Sequence, residues 1–119
     1  FPIYGADDTR TFCYITDAMR AMRMLMDSPK TDGQPIETVH IGDSEEITMK
    51  DLAERLFTVT GWHPQSLDIK NSPEGSVKRR LADVSKIKKD VNWEAKTSLE
   101  EGLRKTIDWY LKNPKPVKK

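Results

Sequence analysis

Residues 5–17 read GADDTRTFCYITD, and the change of character along this stretch decides the fold. Gly5-Ala6-Asp7-Asp8 is a turn signal, a glycine followed by short acidic side chains that bond their own backbone. The run 11–15, TFCYI, is β-branched and aromatic and predicts a strand on a half-buried pleated surface, after a first short strand over 2–4. Thr16 or Asp17 then caps a helix reaching about Met26. In it Ala18, Ala21, Met22 and Leu25 fall at i, i+3, i+4 and i+7 as one apolar stripe. Four of the five methionines lie in this helix or at its end, where they read as gap-filling core rather than soft metal ligands.

Working outward, residues 28–35 form a polar loop, and 37–41 (ETVHI) predict a strand ending at Gly42. Thr48 caps a second helix whose buried face is Leu52, Ala53, Leu56 and Phe57, and Gly61 stops it. A loop follows over 62–76 with a short strand at 66–69, then a strand over 77–81. Asp83 caps a short helix to about Val91, and Trp93 lies in the next turn. Ser98 and Glu101 make a capping box for the last helix, where Leu99, Leu103, Ile107, Tyr110 and Leu111 share a face. Residues 113–119, NPKPVKK, predict a flexible basic tail. Strands and helices mix without strict alternation, which indicates α/β or mixed α+β.

A chain of 119 residues supports one domain with a modest core. Its 20 basic and 19 acidic side chains nearly cancel, which argues against a general nucleic-acid binder while leaving room for a local basic site. A single cysteine, Cys13, excludes an internal disulfide and points to a reducing compartment, the cytoplasm. No apolar run approaches the roughly 20 residues of a membrane span. The start, FPIYGADDTR, lacks an initiator Met and the features of a signal peptide, so we expect a cut through a longer protein.

Catalytic constellations are scarce. His40 and His63 have no partner at metal-ligand spacing, and His40 in a strand reads as a core or boundary residue. Cys13 reads as a small buried residue, and Asp7-Asp8 as a turn rather than a cation loop, so no metal is expected. No glycine-rich phosphate loop opens a helix. What remains is Arg10 and the triplet Lys78-Arg79-Arg80 in SVKRRLADVSK (76–86). In a strand Lys78 and Arg80 share one face while Arg79 points the other way. Two readings stay open: a diphosphate clamp built with the Arg10 guanidinium, or exposed cations that guard a sheet edge against aggregation.

The order of these segments resembles a known family. Gly5-x-x-x-Thr9-Arg10-x-Phe12-x-Tyr14-Ile15-x-Asp17 is similar to the TR-x-F-x-Y-V-x-D segment of NAD-dependent sugar-nucleotide epimerases and dehydratases, the extended short-chain dehydrogenase/reductases. His40-Ile41-Gly42 resembles their N-I-G strand end, and Ile47-Thr48-Met49-x-x-Leu52-Ala53 the helix after it. Arg80-Leu81-Ala82-Asp83-Val84-Ser85-Lys86, followed by Val91-Asn92-Trp93, resembles R-x-A-D-x-S-K-A and L-G-W. Ser98-Leu99-Glu100-Glu101-Gly102-Leu103 matches the opening of the terminal helix. The departures are His40 for Asn, Ile87 for Ala, and Val91-Asn92 before Trp93.

The resemblance implies that 1–112 are the C-terminal, nucleotide-sugar-binding portion of a Rossmann-type enzyme, lacking most of the dinucleotide-binding domain. It implies a homodimeric parent that holds NAD(P) and acts as an epimerase, dehydratase or decarboxylase on a UDP-, dTDP- or GDP-sugar. This chain has neither the NAD loop nor the Tyr-x-x-x-Lys pair, so by itself it is expected to bind no cofactor and to be inactive. By position, Arg10 resembles the family arginine that contacts the diphosphate, and Arg80 and Lys78 occupy the places of its second cation. Trp93 and Trp109 resemble packing residues. A non-catalytic binding or scaffold domain derived from the same family is the alternative.

Overall fold

The computed structural model describes residues 1–29 and 38–114. Its elements run β1 (Pro2–Tyr4), β2 (Thr9–Arg10), α1 (Ile15–Met26), β3 (Ile47–Thr48), α2 (Met49–Thr60), β4 (Asp68–Lys70), α3 (Ser85–Val91) and α4 (Leu99–Lys112). The strands make two small sheets. β1 pairs in parallel with β4 with Ile3 opposite Ile69, and β2 pairs antiparallel with β3 with Arg10 opposite Ile47. Two-stranded ribbons are marginal alone, and α2 supplies the missing support. Ala53 and Phe57 on one face of α2 bury Ile3 of β1 and Ala6 of the following turn.

The local signals for α2 and α4 hold. The Thr48 hydroxyl accepts the Asp51 N–H at 3.0 Å, and Gly61 ends α2 at φ 70°, a left-handed conformation glycine adopts without steric cost. The Ser98 hydroxyl likewise accepts the Glu101 N–H at the start of α4. On α4, Leu99, Leu103 and Ile107 are half-buried, but Tyr110 and Leu111 stand exposed, as does Trp109, against the packing role expected of it.

The strand expected over 11–15 does not form. β2 stops at Arg10, 11–14 run outside any ladder, and α1 already begins at Ile15 with Tyr14 as its N-cap. The β-branched and aromatic side chains serve packing instead of pairing: Cys13 turns into the second core, and Tyr14 lies against Gly102 of α4. Likewise 38–41 carry no strand and 77–81 contribute only one parallel bridge, Thr9 to Arg79. Both runs have strand-forming composition, yet a strand exists only where a neighbour accepts its ladder. Glu37, most of the 28–35 loop and residues 115–119 of the expected tail lie outside the described residues. The expected strand at 66–69 appears shifted slightly as β4.

Asp17 does not cap α1. It lies inside the helix, 4% exposed, and its carboxylate accepts the N–H groups of Lys96 (3.1 Å) and Thr97 (2.8 Å) and the Arg20 guanidinium (3.0 Å). Its backbone carbonyl accepts the indole N–H of Trp93, which is fully buried beside Ala21 and Ile87. The buried face of α1 is therefore Asp17 and Ala21, with Met24 and Leu25 packed beside them; small Ala21 leaves room for the Trp93 ring. Met22, placed in the apolar stripe by spacing, is exposed. So are Met19 and Met26, contrary to the core role expected of the methionines. Ile15 joins them on this outward face.

Burial would raise the Asp17 pKa, but the Thr97 and Lys96 N–H groups and Arg20 outweigh it and hold the carboxyl at about 2. A carboxyl whose folded pKa lies below its unfolded value stabilises the fold fully above about pH 5, and that contribution fades as pH falls towards 2. Asp17→Asn should therefore cost about 2 kcal/mol at pH 7 in denaturant unfolding, and the gap to the parent chain should narrow at pH 3.

Candidate functional site

The turn 5–8 sets up the cationic region. Gly5 adopts φ 61°, its N–H bonds the Lys70 carbonyl at 2.9 Å, and its carbonyl receives the Asp8 N–H. A β-carbon on Gly5 would collide with the Asp8 carboxylate and the Ser72 hydroxyl, so both positive φ and close approach demand glycine here. Asp8 is buried. It accepts the Ser72 hydroxyl at 2.8 Å and stands 3.8 Å from the Arg10 guanidinium.

Thr9 is the hinge between two segments far apart in sequence. Its N–H donates to the Lys78 carbonyl at 2.8 Å, and its carbonyl accepts the Arg80 N–H at 3.1 Å. Arg10 follows directly, and its Nη1 donates to the Thr9 carbonyl at 2.7 Å and the Lys78 carbonyl at 3.4 Å. The guanidinium thus lies across the seam between β2 and 78–80, largely covered, with backbone carbonyls fixing its plane.

Arg79 turns away from this seam to Glu46. Its Nε and Nη2 donate to the two carboxylate oxygens at 2.7 and 2.9 Å, a bidentate fork, and the Thr9 hydroxyl adds a third bond at 2.6 Å. The hydrogen bonds from Arg79 and Thr9 hold the Glu46 carboxyl at about 2, and the same pairing raises Arg79. Lys78 and Arg80 flank Arg79 in the chain. Both are exposed, with no ion pair among the described residues. The structure thus brings Arg10, Lys78 and Arg80 onto two hydrogen-bonded segments.

Other sequence candidates sit elsewhere. The Asp83 carboxylate accepts the Ser85 N–H at 2.9 Å and starts α3, although Val84 is the residue at the N-cap position; its bonds to Ser85 and the nearby His40 keep its carboxyl low. His40 itself is exposed rather than in the core, and so is His63. Cys13 is half-buried against the second core, and burial together with Asp17 pushes its thiol pKa up, away from nucleophile character. Among the described residues no three His, Cys, Asp or Glu side chains group as a metal site. A cleft of about 620 Å³ opens between Gly42–Ser44, the start of α3 and the turn at Trp93–Ala95. Sequence reasoning missed Glu46. The signal was its place beside Glu45 just before the capping Thr48, in a chain whose charges nearly cancel and must therefore often pair.

The family described as GDP-mannose 4,6 dehydratase matches residues 2–106. The chain belongs to the NAD-dependent sugar-nucleotide epimerases and dehydratases. It is 32% identical over 121 residues to the dTDP-glucose 4,6-dehydratase of Salmonella typhimurium strain LT2, covering 94% of this chain and 32% of that protein. Among solved structures, UDP-glucose 4-epimerase of Thermotoga maritima with UDP-glucose superposes with a TM-score of 0.83 at 29% identity, over 96% of this chain and 35% of that one. The dTDP-glucose 4,6-dehydratase of Bacillus anthracis in complex with NAD gives 0.78 at 27% identity, over 94% and 34%. The chain therefore spans about a third of the length of these epimerases and dehydratases, and its mixed α/β fold is part of their Rossmann-type architecture.

The Gly5 turn offers a test of how tightly this region is built. Gly5→Ala should lower stability by about 1–2 kcal/mol more than Gly75→Ala, whose φ of 79° is also left-handed but whose β-carbon would meet open space. Paired thermal melts of the two variants measure the difference.

Proposed function

We propose that this chain is the nucleotide-sugar-holding portion of an NAD-dependent epimerase, dehydratase or decarboxylase, with Arg10, Arg80 and Lys78 gripping the diphosphate. The observation that carries this reading is the seam itself: a guanidinium pinned by carbonyls, on a segment bonded to one that carries two cations with no ion pair among the described residues. A diphosphate offers closely spaced acceptor oxygens to such forks, and holding it fixed leaves the sugar free to be presented to the reacting group.

Among the described residues, the starts of the longer helices do not fit the dinucleotide. The caps of α2 and α4 are occupied by their own hydroxyls, and α1 opens from Tyr14 rather than from a glycine loop. Hydride transfer to NAD(P) would belong to the part of the parent outside this sequence. In support, Ile15, Met19, Met22 and Met26 form an exposed apolar stripe on α1, and the curated relative cited above is about three times longer. We read the stripe as the face on which that remaining portion packs.

The test is an amide NMR titration of the chain with UDP-glucose, dTDP, GDP and inorganic pyrophosphate. Shifts are expected at residues 9–10 and 78–80, weakening with added salt. Arg10→Ala and Arg80→Ala should each reduce affinity about tenfold, the loss of one charge-assisted hydrogen bond. Shifts elsewhere only, or affinity in both variants unchanged from the unsubstituted chain, would overturn the assignment and favour a scaffold domain.

A further inference from the structure

The geometry points to Glu46 as a positioning residue that sets the spacing of the diphosphate-binding cations without touching the ligand; the inference rests on the function proposed above. Glu46 precedes β3, in a segment separate from both cation-bearing ones, and it grips each of them. Its Oε1 accepts the Thr9 hydroxyl at 2.6 Å and Arg79 Nε at 2.7 Å, and its Oε2 accepts Arg79 Nη2 at 2.9 Å. Thr9 is the neighbour of Arg10, and Arg79 stands between Lys78 and Arg80. One carboxylate therefore ties together the two residues whose immediate neighbours carry every cation of the site.

The tie matters because little else holds 78–80 in place. Residues 76–81 are all exposed, and the segment has a single parallel bridge, Thr9 to Arg79, rather than a ladder. Two backbone bonds at the solvent boundary exchange readily with water unless a side-chain contact closes them off. Without the Glu46 fork, Lys78 and Arg80 would sample many placements relative to Arg10. A diphosphate would then have to order them at the moment of binding. Glu46 bears that ordering in advance, and by occupying Arg79 it also leaves the outward pair as the available cations.

Electrostatics alone argues the opposite outcome, which makes the test decisive. Removing a carboxylate beside three cations raises the local positive potential and frees Arg79, so a purely Coulombic role predicts that Glu46→Gln binds diphosphate more tightly. A positioning role predicts weaker binding, by about threefold or more for UDP. Amide hydrogen exchange at Thr9 and Arg80 should also become about tenfold faster while α2 and α4 keep their protection. The charge-swapped double variant, Glu46→Arg with Arg79→Glu, restores the pair without restoring the original charges and should recover both readouts. Thr9→Val removes only the hydroxyl arm and should give an intermediate loss. Unchanged or tighter UDP binding by Glu46→Gln, or unchanged exchange at Thr9 and Arg80, overturns the positioning role while leaving the clamp standing. Absence of UDP binding by the unsubstituted chain overturns the clamp, and the positioning role with it.

Discussion

Asp17 remains an anion inside the molecule because the chain folds back to bring it donors from 96 and 97 and from Arg20 one helical turn away. The same residue offers its carbonyl to the Trp93 indole. One position thereby locks α1 to the turn that feeds α4, and Trp93 carries the lock on to α3 through Ile87. A buried charge with fewer bonds would favour the unfolded chain. Satisfied as it is, it selects one arrangement of α1, α3 and the turn that leads into α4. With α1 fixed, residues 11–14 are drawn taut from its start, and Cys13 and Tyr14 are committed to packing rather than to a sheet.

That commitment limits β2 to two residues, and the limit shapes the cationic seam. Thr9 spends its N–H on the Lys78 carbonyl and its carbonyl on the Arg80 N–H, so only its hydroxyl remains to reach Glu46. The seam is held by a few directed bonds instead of a broad ladder. Such a construction suits a polar surface, where apolar burial is scarce and geometry must come from hydrogen bonds.

Local rules made the helices legible. Thr48, Gly61 and Ser98 act within one turn of themselves, so their caps follow from three or four neighbouring residues. The strands were less legible because pairing depends on what lies alongside: 11–15, 38–41 and 77–81 share strand composition but have almost no ladder among the described residues. Asp17 looked like a cap since its bonding partners lie about eighty residues away, beyond any spacing rule. Met22 looked buried because α1 carries two apolar stripes, and spacing alone does not say which one faces Trp93. Alternation presupposes a strand over 77–81, which forms only one bridge among the described residues. It gave no hint of Glu46, whose role depends on a segment more than thirty residues removed from Arg79.

The stretch SVKRRLADVSK shows why net charge is a poor guide to local charge. A chain with a formal charge of +1 would be expected to attract anions feebly. Yet charge acts locally, within roughly a Debye length of 10 Å, and what counts is which cations already have partners. Arg79 is neutralised by Glu46, while Asp83 is turned to the Ser85 N–H rather than to the cations before it. Lys78 and Arg80 remain open to solvent beside a guanidinium held by carbonyls, which fix its position without cancelling its charge. Internal pairing neutralises the Arg79 that stands between them and leaves Lys78 and Arg80 without an ion pair among the described residues.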